Sequence, residues 1–381
     1  MSAPLPRSAF TAAMDRSLRV GFLSPHNPHD RSAFSGTVYH AARALAAVQG
    51  LEVEVLGGHR PLPWHHRLSR RFVSQPPVDL LRTDFDGIDI VVGLVASPLL
   101  LRASALTRAP LVHLTDATPS FLREVYGYDI PIAVDTEEAR VLRACRRTVY
   151  SSDYMAKRAA AEFGSGLGDR ISSVVFGTNC DDLPEAPPPK PGFGPVRLLW
   201  VGSQWVRKGG ELALSAAQIL RASGLDVQLT LVGDIPATVR SGPGLEVAGY
   251  LDKSKPRDAA RLRALYAEAH LFVLPTRADC TPMVLAEAGA YGTPVLVTDT
   301  GGVGSLVTEG VNGRLLAPGA SPGDWATAIR NMTRDSTRHA ALCRSSFDHA
   351  RKRLTWNTWA ERMAAILRAE VAVEDLRRAA A

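Results

Sequence analysis

Residues Asp279-Cys-Thr-Pro-Met-Val-Leu-Ala-Glu287, running on through Ala-Gly-Ala-Tyr-Gly-Thr-Pro-Val-Leu-Val-Thr-Asp-Thr-Gly-Gly302, carry two carboxylates eight positions apart. The apolar stretch His270-Leu-Phe-Val-Leu-Pro-Thr276 before them reads as a strand, with a helix to follow. Eight residues of helix make a little over two turns, so equivalent faces recur, and with Asp279 at the helix mouth and Glu287 further along both can face a ligand at the helix N-terminus. The free N–H groups and positive dipole at its start favour phosphate. Carboxylates accept hydrogen bonds from sugar and ribose hydroxyls. A nucleotide sugar meets both conditions, with hydroxyls on the acids and diphosphate at the helix end. Two acids at this spacing, taken alone, read as ordinary surface residues. The strand before them and the Gly-Gly turn after them decide for a site.

The order of these elements resembles the signature of the retaining, nucleotide-sugar-dependent group 1 glycosyltransferases of the GT-B fold. That family has an E-x7-E element, a small-residue helix, G-x-P-V and a D-x-G-G turn. Here they read Asp279…Glu287, Ala288-Gly-Ala290, Gly292-Thr-Pro-Val295 and Asp299-Thr-Gly-Gly302. Val307-Thr-Glu-Gly-Val-Asn-Gly-Arg-Leu-Leu316 is similar to a further turn of the family. One departure is plain: Asp279 stands where the family has Glu, shorter by one methylene. The resemblance implies that Glu287 holds the ribose and Asp279 a donor-sugar hydroxyl. Thr281, Pro282, Met283 and Val284, at the entry to the helix, are expected beside the donor.

Three further stretches are expected in the same site. Val201-Gly-Ser-Gln-Trp-Val-Arg-Lys-Gly-Gly210 joins a strand to a helix, with glycines that let the backbone approach a ligand and two cations for a diphosphate. Lys208 matches the family's lysine, whereas Ser203, after Gly202, replaces its arginine. Arg207 either takes over part of that duty or points to solvent. The loop Ser24 to Tyr39 contains Gly36 and Thr37, which the resemblance places at a helix N-terminus against the donor diphosphate. An ordinary turn capped by Ser35 accounts for the same residues. His113-Leu-Thr-Asp-Ala-Thr-Pro-Ser120 ends a strand, where ligands of open α/β sheets bind. Asp116 and Thr118 are favoured there, and His113 is expected to be buried in the sheet. Asp279, Lys208 and Asp116 are thus the expected catalytic set.

The chain has 381 residues, 46% hydrophobic and 22% charged, with a formal net charge of +6. This suits about two globular domains. The charge is mild and dispersed, which argues against a nucleic-acid-binding module. Solvation explains it, as does attraction to anionic substrates or an acidic membrane surface. Cys145, Cys180, Cys280 and Cys343 show neither disulfide-framework nor metal spacing. Cys280, though beside the expected site, reads as a small hydrophobe. No compact metal-ligand cluster is visible, so the expected reaction needs no metal and no cofactor beyond the nucleotide sugar as co-substrate. Ala9 to Met14 is too short and polar for a signal peptide core, and no apolar run approaches the roughly 20 residues that span a bilayer. The expected location is cytoplasmic, with any membrane association peripheral.

Asp181 to Pro195 is proline-rich and cannot continue a helix or a central strand. Strands and helices alternate on both sides of it, beginning at Leu18 and Arg197. The expected strands include 53–56, 88–92, 110–114, 148–151, 227–232 and 271–274; expected helices include 38–47, 136–146 and 153–163. This alternation predicts α/β domains with parallel sheets. The resemblance supplies the GT-B arrangement, two Rossmann-like domains facing across a cleft. The expected division is an acceptor-binding domain over 1–182, a linker over 183–196, a donor domain over 197–350, and a helical segment over 351–381 crossing back to the first domain. Trp64 to Phe72 reads as a solvated helix face or as a basic element at an acceptor or membrane surface.

The implied activity is retaining, metal-independent transfer from a nucleoside diphosphate sugar to an acceptor hydroxyl on a glycan, glycolipid or small molecule. Alternatives are a nucleotide-sugar-binding protein impaired in catalysis, suggested by Asp279 and Ser203, or a GT-B phosphorylase or epimerase.

Overall fold

The structure is a computed structural model describing residues 16–31, 33–58, 78, 80–164, 166–192 and 194–380. The basic stretch Trp64 to Phe72 and the segment Ala9 to Met14 lie outside the described residues. The chain forms two compact units, Met1–Val174 with Trp356–Ala381, and Val175–Thr355. Their divisions fall at Val174–Val175 and Thr355–Trp356, where the sequence suggested 182 and 350.

In the first unit β1 (Leu18–Leu23), β2 (Leu51–Val55), β3 (Ile90–Leu94), β4 (Leu111–Thr115), β5 (Arg147–Tyr150) and β6 (Ile171–Ser173) form one parallel sheet in the order β2-β1-β3-β4-β5-β6. Every residue of β3 and β4 is buried, as expected of central strands covered on both faces. The helices are α1 (Thr37–Ala46), α2 (Ser97–Ala103), α3 (Pro119–Tyr126), α4 (Ala133–Ala144) and α5 (Asp153–Phe163). The sequence reading did not anticipate α2 and α3. Each is short and carries a proline in its first turn, where proline is tolerated. Thr118 caps α3 by accepting the Phe121 N–H at 3.3 Å.

The second unit repeats the plan with β7 (Val196–Gly202), β8 (Val227–Gly233), β9 (Leu245–Gly249), β10 (Leu271–Leu274), β11 (Val295–Thr298) and β12 (Gly313–Leu316). Their order is β12-β11-β10-β7-β8-β9, all parallel. Connections run outward in opposite directions from β7 and β10, so the strand order reverses between these neighbours. In an open α/β sheet that reversal opens a crevice at the carboxyl ends. The covering helices are α6 (Gly210–Ala222), α7 (Pro256–Glu268), α8 (Met283–Ala290), α9 (Pro322–Thr333) and α10 (Ser336–Arg353). The turn expected over 307–316 contains strand β12.

The last helix, α11 (Trp356–Ala380), belongs to the first unit, where it packs on α1. Trp356, Trp359 and Met363, spaced three and four apart, are all buried, and Trp356 stacks on His40 with ring centroids 6.2 Å apart. Arg147 pairs with Glu370 at 2.7 Å and tightens the same helix against the sheet.

The proline-rich segment is docked on the second unit. His270 Nε2 lies 3.0 Å from the Pro191 carbonyl, and Tyr291 donates to the Asp182 carbonyl at 3.3 Å. Lys190 Nζ donates to the carbonyls of Tyr266, Ala267 and Tyr291 at 3.3, 2.9 and 3.1 Å, and to Thr293 Oγ1 at 2.5 Å. Burial pulls the ammonium pKa down to about 8. Without the ammonium the four acceptors would face one another. Lys190→Met should therefore destabilise the second unit by about 1–3 kcal/mol, the range for buried partners left unsatisfied. Urea unfolding checks this; an unchanged midpoint would mean that the acceptors find other donors.

Candidate functional site

The crevice between β7 and β10 is shaped by glycines. Gly209 caps α6 with φ +68°, and a Cβ there would lie 1.9 Å from the Pro275 carbonyl oxygen. No other residue lets the turn after β7 rest on the loop after β10. Across that contact the Arg277 N–H donates to the Arg207 carbonyl at 2.8 Å. Trp200 Nε1 donates to the Lys208 carbonyl at 3.1 Å, and the Trp200 and Trp205 rings meet edge to face. Lys208 is thereby aimed into the crevice.

There Lys208 Nζ hydrogen-bonds to Asp279 Oδ2. Lys208 is 9% exposed and Asp279 5%. Arg207 does not point to solvent. It donates from Nη1 to the Ala278 carbonyl at 2.7 Å and from Nε to Gln204 Oε1 at 2.6 Å, and lies 3.8 Å from Asp279 Oδ2. The Gly-Gly turn closes on the same residue: the Gly302 N–H donates to the Asp279 carbonyl at 2.9 Å, and a Cβ on Gly301 would lie 2.2 Å from that oxygen. Three stretches separated in sequence thus meet at one aspartate. Gly202 is half-buried, while Ser203 is exposed.

Helix α8 begins at Met283, so Asp279 lies beyond β10 in the loop four residues ahead of the helix and Glu287 lies on the helix, as the sequence reading placed them. The spacing of eight therefore spans a loop and the first turn of α8. Met283 and Val284 form the first turn of α8, and Pro282 caps it without a side-chain hydrogen bond.

Glu287, 1% exposed, is also already engaged. Lys253 Nζ hydrogen-bonds to its Oε1, and the Tyr266 hydroxyl donates to its Oε2 at 2.9 Å. Burial works against the Lys253 ammonium, but Glu287, together with Cys180 and Tyr250, raises the net pKa. Burial, reinforced by Glu287, pushes the Tyr266 phenol well above its ordinary value and keeps it a donor. Sequence reasoning missed both partners. Lys253 lies in an irregular Asp-Lys-Ser-Lys turn and Tyr266 on α7, and neither carries a signal that connects it with an acid 34 or 21 positions away.

The remaining expected residues belong to the first unit. Gly36, with φ +87°, caps α1 without a side-chain hydrogen bond, and Thr37 opens the helix. The N-cap is Gly36, and Ser35 before it takes a left-handed conformation with φ +56°. Asp116 is half-buried at the carboxyl end of β4, whereas Thr118 is wholly buried. His113 is buried as expected, with Nε2 3.2 Å from Ser97 Oγ. None of the four cysteines forms a disulfide; burial pushes the Cys145 and Cys180 thiols up to about 12, and Cys280 is 2% exposed. Among the described residues no group of three His, Cys, Asp or Glu could hold a metal ion.

Residues 195–335, which include β7 to β12 and this crevice, match the family model of group 1 glycosyl transferases. The match lies within the second unit and is a likeness to that family. The chain is 29% identical over 266 residues to D-inositol 3-phosphate glycosyltransferase 2 of Catenulispora acidiphila, covering 65% of this chain and 61% of that protein. It is 26% identical to the D-inositol 3-phosphate glycosyltransferase of Paenarthrobacter aurescens, covering 66% and 65%. The matches thus span under two thirds of the length of either relative. Among solved structures, sucrose-phosphate synthase from Thermosynechococcus elongatus superposes with TM-score 0.67 at 16% identity, over 94% of this chain and 100% of that one. Anabaena HepE in complex with UDP gives 0.62 at 15%, over 92% and 99%. These likenesses show the fold to be GT-B.

The buried acid Glu287 of the second unit generates a stability prediction. Removing one partner of a buried ion pair costs about 3–5 kcal/mol. The Lys253 side chain, however, keeps 41% of its surface in water, which reduces that figure. Glu287→Ala should destabilise the second unit by about 1–3 kcal/mol, and adding Lys253→Met should recover part of the loss. Denaturant unfolding of the two single variants and the double variant measures the coupling. Strict additivity would show that the pair contributes nothing.

Proposed function

We propose that this protein transfers a sugar from a nucleoside diphosphate sugar to an acceptor hydroxyl, with retention at the anomeric carbon and without a metal ion. The observation that carries the reading is the convergence of Lys208, Arg207 and Asp279 where the strand order reverses. Likeness to a HepE structure solved with UDP-glucose is consistent with a nucleotide-sugar donor. The acceptor class is a glycan, glycolipid or small molecule. The place of action is the cytoplasm, with any membrane contact peripheral; no helix among the described residues is long and apolar enough to cross a membrane.

A lysine ammonium has three donors, so Lys208 can keep Asp279 while taking a diphosphate oxygen. Its charge stabilises the leaving phosphate as the bond from that oxygen to the anomeric carbon breaks. Asp279 accepts a donor-sugar hydroxyl. Glu287 accepts the ribose hydroxyls once Lys253, its partly exposed partner, gives up an oxygen. Gly36 and Thr37 contribute N–H groups to the diphosphate, and Asp116 contacts the transferred sugar. The acceptor oxygen bonds to the anomeric carbon on the face the phosphate leaves, and the acceptor proton passes to that phosphate. No enzymic nucleophile takes part.

One incubation tests stereochemistry and metal use together. With a panel of α-linked nucleotide sugars that includes UDP-glucose, and EDTA present, NMR of the early product should show an α linkage. Lys208→Ala should slow transfer about 100-fold or more, the scale of a lost preorganised transition-state contact. A β product would overturn retention, and restoration by magnesium would overturn metal independence. Donor binding without turnover would favour the impaired binding protein.

The second cation gives a separate prediction. A diphosphate carries more than one negative charge, and Ser203 supplies only a neutral hydroxyl where the family has arginine. Arg207 presents a guanidinium fork beside Asp279. Arg207→Ala should weaken binding of the nucleoside diphosphate product by about 1.5–3 kcal/mol, and Ser203→Arg in that background should recover part of it. Calorimetry with unchanged affinity would leave Lys208 and the helix N-termini as the whole anion site.

A further inference from the structure

Three elements of the first unit bring a serine, a histidine and a glutamate together. Ser97 Oγ lies 3.2 Å from His113 Nε2, and His113 Nδ1 lies 3.7 Å from Glu138 Oε1. The topology explains the meeting. β3 ends at Leu94, Val95 turns the chain with φ +46°, and its N–H donates to the Leu114 carbonyl at 2.8 Å. Ser97 then opens α2, so the start of that helix is tied to β4, the strand that carries His113. Helix α4 packs on the same strand with Glu138 on its buried side.

The neighbours fix where the protons sit. A carboxylate only accepts, so the imidazole proton belongs on Nδ1, towards Glu138. Nε2 then keeps its lone pair and accepts the Ser97 hydroxyl. Burial lowers the His113 pKa, although Glu138 opposes the shift, and the imidazole stays neutral. A neutral base on a hydroxyl, with an acid behind it, is the arrangement that activates a serine nucleophile. The 3.7 Å separation is an ion-pair distance, and Nδ1 has no hydrogen-bond partner. A histidine buried for packing alone has both ring nitrogens satisfied. Contacts within catalytic sets are often long before substrate binds and tighten in the complex.

Ser97 is half-buried, whereas His113 is wholly buried and Glu138 is 4% exposed. Ser97 lines a cavity of about 220 Å³, with Leu101, Leu122, Val134 and Val141 among its other walls. An apolar cavity of about 150 Å³ accepts benzene, so a short acyl or aryl group fits. Neither lysine nor arginine lines it, which disfavours an anionic substrate. Thr115, on the same face of β4 as His113, also lines it, and its hydroxyl holds only a long bond of 3.4 Å to the Ala117 carbonyl. That hydroxyl can turn to a carbonyl oxygen as charge develops there. We propose that Ser97 and His113, positioned by Glu138, form a second catalytic site that hydrolyses small uncharged carboxylic esters. Ser97 Oγ bonds to the ester carbonyl carbon while its proton passes to His113 Nε2. The carbon–oxygen bond to the alcohol breaks, and the leaving alcohol takes that proton. Water then attacks the acyl-serine and gives a proton to Nε2, which returns it to Ser97 Oγ as the carboxylic acid leaves. Every residue lies in the first unit, and the proposal does not depend on the donor reading of the second.

The experiment treats the full chain with diisopropyl fluorophosphate, which forms a phosphorus–oxygen bond to an activated serine and loses fluoride. Peptide mass spectrometry should find the adduct on Ser97. Hydrolysis of p-nitrophenyl acetate is followed in parallel at neutral pH. Ser97→Ala should lose the adduct and slow ester turnover by about 100-fold or more, the scale of a lost nucleophile and its base. Glu138→Gln should lower kcat by about tenfold or more and leave KM unchanged, because the ring loses its orienting charge while the cavity keeps its shape. A merely structural role would move KM as well. UDP affinity, read on the same samples, reports separately on the donor reading. The proposal is overturned if the reagent spares Ser97, if Ser97→Ala hydrolyses the ester as fast as the unaltered protein, or if Glu138→Gln keeps its full kcat. Should Glu138→Gln not fold, the position of the adduct and the rate of Ser97→Ala decide.

Discussion

Gly209 has no side chain, and the Pro275 carbonyl occupies the space one would need. That contact lets the turn after β7 lie directly on the loop after β10. Everything assembled at the crevice depends on it: the hydrogen bond from Arg277 to the Arg207 carbonyl, the approach of Lys208 to Asp279, and the guanidinium of Arg207 on the Ala278 carbonyl. Any Cβ at 209 would force the two loops apart. The left-handed φ of the residue would add to the cost for any other amino acid. Gly233 does a similar service behind β7, where a Cβ would lie 1.9 Å from the Gly202 carbonyl oxygen. Close backbone approach is thus the condition on which the electrostatics rest.

Those electrostatics are arranged before any ligand arrives. Each acid of the D-x7-E element already has a lysine, Asp279 with Lys208 and Glu287 with Lys253, and Tyr266 holds the second oxygen of Glu287. Buried charges are tolerated only when paired and hydrogen-bonded, so the pairs keep the crevice folded as well as charged. The two pairs are not equivalent. Lys208 and Asp279 are both buried beside Arg207, whereas Lys253 keeps much of its side chain in water. The first pair therefore behaves as fixed positive and negative poles, and the second as one fixed acid with a partner free to leave.

The first unit depends on a different contact. Its sheet is closed on one side by α11, which returns from the end of the chain and buries Trp356, Trp359 and Met363. Near the ends of β3 and β4, Glu138 lies 3.7 Å from His113 Nδ1, and Val95 takes a left-handed conformation.

By itself the sequence determined the class of each unit. Runs such as Ile90–Leu94 and Leu271–Leu274 are apolar throughout, which is the mark of strands covered on both faces, and helical spacing between them requires parallel crossovers. The order of Lys208, Asp279, Glu287 and the Gly301-Gly302 turn was likewise legible, because local turn chemistry demands particular residues at fixed offsets. The partners were not. Lys253 and Tyr266 reach Glu287 from other elements, Lys190 fastens the proline-rich segment to carbonyls about 76 to 101 positions away, and Glu138 meets His113 only because α4 lies over β4. The placement of Asp279 between β10 and the start of α8 was legible, while the length of the loop between them was not. Local pattern specifies which elements form and which residues stand at their ends. Which charge faces which is decided by packing between segments remote in sequence, and only the tertiary structure contains that.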